Sequence, residues 1–220
     1  MTNCRLCFNS LQTGPAETWN RPLFESANFV VLPSLGALVE GWLLLVPKKH
    51  SICLGALQGS VDAEMHQFKH FLFAELQRQY GQVCAFEHGP ARANLSIGCG
   101  VDHAHLHIVP VAFDLASAVK SFLPKDASWS KAGLGECRDA FRRGQDYLYL
   151  EQPVGLGRIA THQQIGSQLF RRAIATRIGM PEQFNWREYP QVSNVSATIN
   201  RLQLHDGSVF SCMNRREAAA

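Results

Sequence analysis

The nine residues from Asp102 to Pro110 constrain this chain more than any other stretch. His103, His105 and His107 alternate with Ala104, Leu106 and Ile108, and a period of two is the mark of a half-buried β-strand. The apolar residues then face a core while the imidazoles share the opposite face, each about 6–7 Å from the next. Three imidazoles so placed can converge on one phosphate or one metal ion. A strand that merely faces solvent has no use for them, since threonine or lysine would pack and solvate equally well. The strand is therefore read as the active site.

The 220 residues suffice for one full core and a small subdomain. A hydrophobic content of 46% with 18% charged residues describes an ordinary globular protein. A net charge of +3 is too small to demand nucleic acid as partner, but it suits a phosphorylated ligand. Met1 to Cys7 has no apolar signal core, and the apolar run Phe29 to Val46 is broken by Pro33, Gly36, Glu40 and Gly41. It reads as two strands around a turn and not as a membrane span. Seven irregularly spaced cysteines fit a reducing, cytoplasmic setting, as core residues or metal ligands.

In chain order, Cys4-x-x-Cys7 is half a metal site or a redox pair, with no βαβ pattern around it to favour the latter. Residues 9–22 read as a loop, and Phe29–Leu32 and Gly41–Val46 as strands. A helix from Ser60 to about Tyr80 carries the stripe Val61, Met65, Phe68, Leu72 and Leu76 and stops at Gly81. His66 and His70 lie four apart on it, but Gln67 stands where a metalloprotease has glutamate, so both are read as surface residues. Gln82–Glu87 is a third strand, followed by a loop with Asn94, Ser96 and Gly98. Residues 114–145 read as a mobile segment with a short helix. Tyr147–Glu151 and Gly157–Thr161 fit a hairpin, Ile165–Ile178 and about 193–204 fit helices, and 215–220 a frayed tail. Arg171 and Arg172 on the first of these helices, with Arg187 after Trp186, are read chiefly as a solvated face, while residues 113–220 are expected to fold back on the core and help shape substrate access.

The stretch His103-Ala-His-Leu-His-Ile-Val109 resembles the signature of the histidine triad superfamily of nucleotidyl hydrolases and transferases, matching its His-φ-His-φ-His-φ-φ pattern at every position. Gly41-Trp-Leu-Leu-Leu-Val-Pro-Lys-Lys-His50 is similar to the strand and turn upstream of the triad, and Cys4-x-x-Cys7 to the start of the zinc-containing members. The resemblance covers residues 4–112; the last hundred residues look like the C-terminal extension of a bacterial subgroup. It implies an α+β fold: an antiparallel sheet with a long helix packed on it, forming a catalytic domain over 1–112, plus an α/β extension over 113–220 packed on that core.

The same resemblance implies roles. His105 would be the nucleophile, forming a nucleotidyl-histidine at an α-phosphorus, with its tautomer fixed by the His103 carbonyl. His107 would donate to a phosphate oxygen. Cys4, Cys7, His50 and His103 would hold a structural zinc with no open position. Ser34 falls where a ribose-binding acid often stands, Gly100 where a hydrogen-bonding residue assists the leaving group, and Trp42 where many members have a fourth histidine. Glu87, with His88 beside it, forms another polar cluster near the site, and Asn94, Gly98 and Gly100 are candidate substrate contacts. The expected ligand is a nucleotide or nucleoside phosphate conjugate, with no membrane and no nucleic acid partner, and a homodimer is a common state in the family. Two rival readings stay open: a metalloenzyme using His103, His105 and His107 together, and a nucleotide-binding regulator without turnover.

Overall fold

The computed structural model describes residues 4–7, 17–93, 100–153 and 155–203. Its centre is β5 (Leu106–Pro110), paired antiparallel on one side with β3 (Leu43–Pro47) and on the other with β4 (Val83–Gly89). In this register His107 lies opposite Leu44 and Phe86, and Ile108 opposite Leu43 and Ala85. The strand begins later than the sequence pattern predicts, because His103 and Ala104 are held by loop contacts: their amides donate to the Val101 and Ser51 carbonyls.

Five further strands complete one sheet: β1 (Phe24–Glu25), β2 (Phe29–Pro33), β6 (Ser130–Lys131), β7 (Tyr147–Glu151) and β8 (Gly157–Thr161). The order is β1-β2-β3-β5-β4-β7-β8-β6, with every pair antiparallel. The expected α+β architecture is thus present, and the residues after 112 extend the same sheet: β7 pairs along β4, from Glu151 opposite Ala85 to Tyr147 opposite Gly89.

The period of two sorts the side chains into layers. Ala85, Leu106, Ile108, Leu43 and Leu45 pack on α1 (Asp62–Tyr80) through Met65, Phe68, Leu72 and Leu76. On the other face Trp42, Phe86, Val109, Leu148 and Leu150 meet α2 (Leu115–Val119) and α4 (Leu169–Arg177). Both faces are covered, so β4 and β5 are buried along their whole length. His66 and His70 are exposed, as expected. Ser60 does not cap α1: a 3-10 turn, Gly59–Val61, leads into it, and Asp62 and Glu64 in its first turn complement the helix dipole.

Several expectations need correction. Residues 114–145 are ordered by packing: Asp114 caps α2 through the Ala116 and Ser117 amides. Further on, α3 (Leu134–Arg142) inserts Leu134, Cys137 and Ala140 into the α1 core. Lys69 lies on the buried stripe of α1, where its ammonium pairs with Glu151 of β7 at 2.5 Å. Arg171 is not solvated but 1% exposed. The last helix among the described residues is α5 (Val192–Gln203); the expected tail at 215–220 lies outside them. Among those residues no helix is long and apolar enough to cross a membrane.

Candidate active site

His105 and His107 sit together at the start of β5, ring centroids 4.8 Å apart. The His105 Nδ1–H donates to the His103 carbonyl at 2.7 Å. A neutral imidazole with Nδ1 protonated carries its lone pair on Nε2. Burial lowers its proton affinity, opposed by that carbonyl, so the neutral form is favoured. His107 has the opposite tautomer. Its Nδ1 accepts the Trp42 Nε1–H at 2.9 Å, and an indole N–H can only donate, so the neutral ring keeps its proton on Nε2. Burial and the fields of His105, Arg171 and His88 hold its pKa well below the usual range. Phe86 stacks on the ring at 4.7 Å and fixes its plane.

His103 does not share the direction of the other two. Its Nε2–H donates to the Pro47 carbonyl at 2.8 Å, which leaves the Nδ1 lone pair facing Cys4 Sγ at 3.4 Å and Cys7 Sγ at 3.8 Å. His50 Nδ1 lies 3.3 Å from Cys7 Sγ. The four ligand atoms all fall within 4.8 Å of one another, and they could hold a metal ion. Zinc–sulfur and zinc–nitrogen bonds of about 2.3 and 2.0 Å in a tetrahedron place sulfur and nitrogen about 3.5 Å apart, so the donor set fits. Burial pushes the His103 pKa down to about 4 and, with Cys4 alongside, the Cys7 thiol up to about 11. The cluster takes His103 out of any joint metal site with His105 and His107.

A pocket opens beside His105 and His107. Leu32, Ser34 and Leu44 form the strand side of its wall and Arg5, Arg171 and Trp186 the other. Ser34, expected at the substrate, does line it. Glu87 does not. One residue along from Phe86, it points through the sheet to the α1 face, where its carboxylate accepts the Leu54 N–H at 2.8 Å and the Tyr147 hydroxyl at 2.6 Å. Burial pushes its pKa up to about 8. His88, read with Glu87 as a polar cluster, is buried on the triad face, where Nε2 accepts the Leu169 N–H at 3.0 Å. Burial, then His105 and Arg171, push it down to about 3. Asn94 and Gly98 lie outside the described residues. Gly100 has φ +74°, and its carbonyl accepts from Arg187 Nη2 at 2.9 Å.

The extension was expected to help shape substrate access; the burial of Arg171 in the site is what sequence reasoning missed. Arg171 donates to the Gly36 and Phe184 carbonyls, at 2.5 and 2.8 Å, and its guanidinium lies 4.8 Å from the Trp42 ring centroid. A side chain at position 36, where φ is +78°, would put its Cβ 2.4 Å from Trp186 Cβ; glycine lets the extension close on the sheet here. One signal was available: Ala175, four residues after Arg171, means that this side of α4 is also small and apolar.

An antiparallel sheet whose central strand continues a His-x-His-x-His run, the middle imidazole braced by the first one's carbonyl, defines a histidine triad protein. Within that class the chain belongs to the family described as "Protein similar to CwfJ C-terminal", whose model matches residues 1–123. No curated protein matches it. Similar solved structures include a hypothetical protein from Leishmania major (19% identity, 51% of this chain and 75% of that one, TM-score 0.41). A Hit-like protein from Bartonella henselae is 14% identical over 64% of this chain and 97% of its own, with a TM-score of 0.40. A yeast Ap4A phosphorylase in complex with AMP is 13% identical over 63% and 57%, with a TM-score of 0.37.

Proposed function

We infer that this protein is a nucleotidyl hydrolase or transferase that works through a nucleotidyl-histidine on His105. The observation that supports this reading is the bond from His105 Nδ1–H to the His103 carbonyl, which leaves the lone pair on Nε2 of a pocket-lining, neutral imidazole, as a nucleophile requires. Nε2 attacks the α-phosphorus of a nucleotide conjugate, an N–P bond forms, and the bond to the leaving group breaks. His107, whose Nε2 holds its proton because Trp42 occupies Nδ1, donates to a non-bridging oxygen as charge builds there. A second nucleophile then releases the nucleotide from the imidazole.

Ser34, with Leu32 and Leu44, would form the wall against the nucleoside. Residues 1–112 would supply the chemistry, with Arg171 and Trp186 of the extension helping to close the pocket. Zinc at Cys4, Cys7, His50 and His103 would be structural, clamping the N-terminal turn to the first triad residue.

Incubation with radiolabelled adenylate and guanylate conjugates, followed by rapid denaturation in base, tests this directly. Label should be retained on the wild-type chain and lost in His105→Ala, with turnover reduced by several orders of magnitude. His105→Ala turnover within tenfold of wild type would remove His105 from the chemistry.

A further inference from the structure

Trp186, which lines the pocket together with Arg5, carries two guanidinium groups on its indole. Arg187 lies 4.5 Å and Arg5 5.0 Å from its ring centroid. They come from opposite parts of the chain, Arg5 from the turn between Cys4 and Cys7 and Arg187 from beyond α4. The Arg187 guanidinium also fills the space that a side chain at position 100 would take: a Cβ there would lie 2.2 Å from Nη2. A cation from the extension thus stands where the backbone entering the triad carries no side chain of its own. Among the described residues neither arginine is ion-paired with a carboxylate. Two like charges on one ring repel each other, and the indole face offsets only part of that. An anion between them offsets the rest.

We propose that Arg187 and Arg5, gathered on Trp186, bind phosphoryl oxygens of the group that leaves when His105 attacks, so that the substrate is a nucleoside polyphosphate or a nucleotide joined through polyphosphate. This deepens the reading above and rests on it. The His105 Nε2–phosphorus bond forms as the bond from that phosphorus to the bridging oxygen breaks, and the electron pair departs on the oxygen as a phosphate anion. Such a group leaves without a proton at neutral pH. A guanidinium suits that role, because it offers forked donors to phosphate and, with a pKa above about 12, gives up no proton. A departing amine or alcohol would need a proton that neither arginine supplies.

The test uses the full chain and two titrations, inorganic pyrophosphate and AMP, followed by calorimetry. Pyrophosphate should bind, and Arg187→Gln and Arg5→Gln should each weaken it at least tenfold, Arg187→Lys less, with AMP affinity moving less than pyrophosphate affinity. In turnover, the ratio of kcat/KM for diadenosine triphosphate to that for adenosine phosphoramidate should fall at least tenfold in Arg187→Gln. Absence of pyrophosphate binding, equal losses for both ligands, or an unchanged ratio would overturn the proposal. Arginine-dependent pyrophosphate binding in a protein that ignores AMP would support the anion site and count instead against the nucleotide reading.

Discussion

Lys69→Met leaves the Glu151 carboxylate alone inside the protein. In the native chain burial would push that carboxyl up, but the Lys69 ammonium at 2.5 Å, the Gly155 N–H at 2.8 Å and the Tyr149 hydroxyl at 3.1 Å outweigh it and hold the group below its usual range. Methionine fills much of the lysine stem's space, so the change is chiefly one of charge. Removing one partner of a buried pair costs about 3–5 kcal/mol. The variant has an escape, which is to fold with Glu151 protonated. At pH 7, with an unfolded pKa of about 4.3, that costs about 1.36 × 2.7, or about 3.7 kcal/mol. At pH 5 the same route costs about 1 kcal/mol. The sign follows from the raised folded pKa in the variant: stability is retained below about pH 4.3 and lost as pH rises toward the folded value. Urea melts should therefore show a deficit of about 3–4 kcal/mol at pH 7, shrinking by about 1.4 kcal/mol per pH unit toward pH 5. The melting temperature should drop by about 6–15 °C at pH 7. Lys69→Met with Glu151→Gln should recover most of the loss, because a neutral pair is close to break-even with a buried ion pair. A deficit under about 1 kcal/mol at pH 7, or one that ignores pH, would refute this account.

Trp42→Phe removes the donor that fixes His107 and leaves Nδ1 buried without it, a loss of about 1–3 kcal/mol, or about 5- to 150-fold in kcat. Nitrogen NMR of the ring should show the tautomer change, and turnover within twofold with an unaltered tautomer would argue against the role. His88, held neutral with a pKa of about 3, contributes stability that is whole above about pH 6.5 and is lost as pH falls toward its folded value. His88→Gln should spare about 2 kcal/mol of the acid loss at pH 5, and an unchanged pH slope would count against it. Metal analysis should find about one zinc per chain, lost in Cys4→Ala with Cys7→Ala and kept in His105→Ala; zinc retained without the cysteines would relocate the site.

What could be read from sequence was whatever obeyed a short period. Ala104, Leu106 and Ile108 specify one face of β5, and Met65, Phe68, Leu72 and Leu76 the helix that covers it. The triad spacing brought with it the Cys4, Cys7, His50 and His103 cluster, through the resemblance it carries. Glu87 was misplaced because its face depends on register against β5 and β7, which one strand cannot state alone. Arg171 was read as solvent-facing because charge ordinarily is, and nothing in the local sequence marked Lys69 as buried. Their burial depends on Glu151 in one case and on the Gly36 and Phe184 carbonyls in the other, partners far away in sequence.

That distance has a consequence in time. Arg187 reaches back 87 residues to Gly100, Cys4 meets His103 across 99, and Arg171 meets Gly36 across 135. Contacts this far apart close slowly. At a synthesis rate of about 5–20 residues per second, the histidine strand leaves the ribosome several seconds before Trp186 and Arg187 do. During that interval the nascent chain carries its histidines without the wall that Arg171 and Trp186 add, and the pocket closes only after both have emerged.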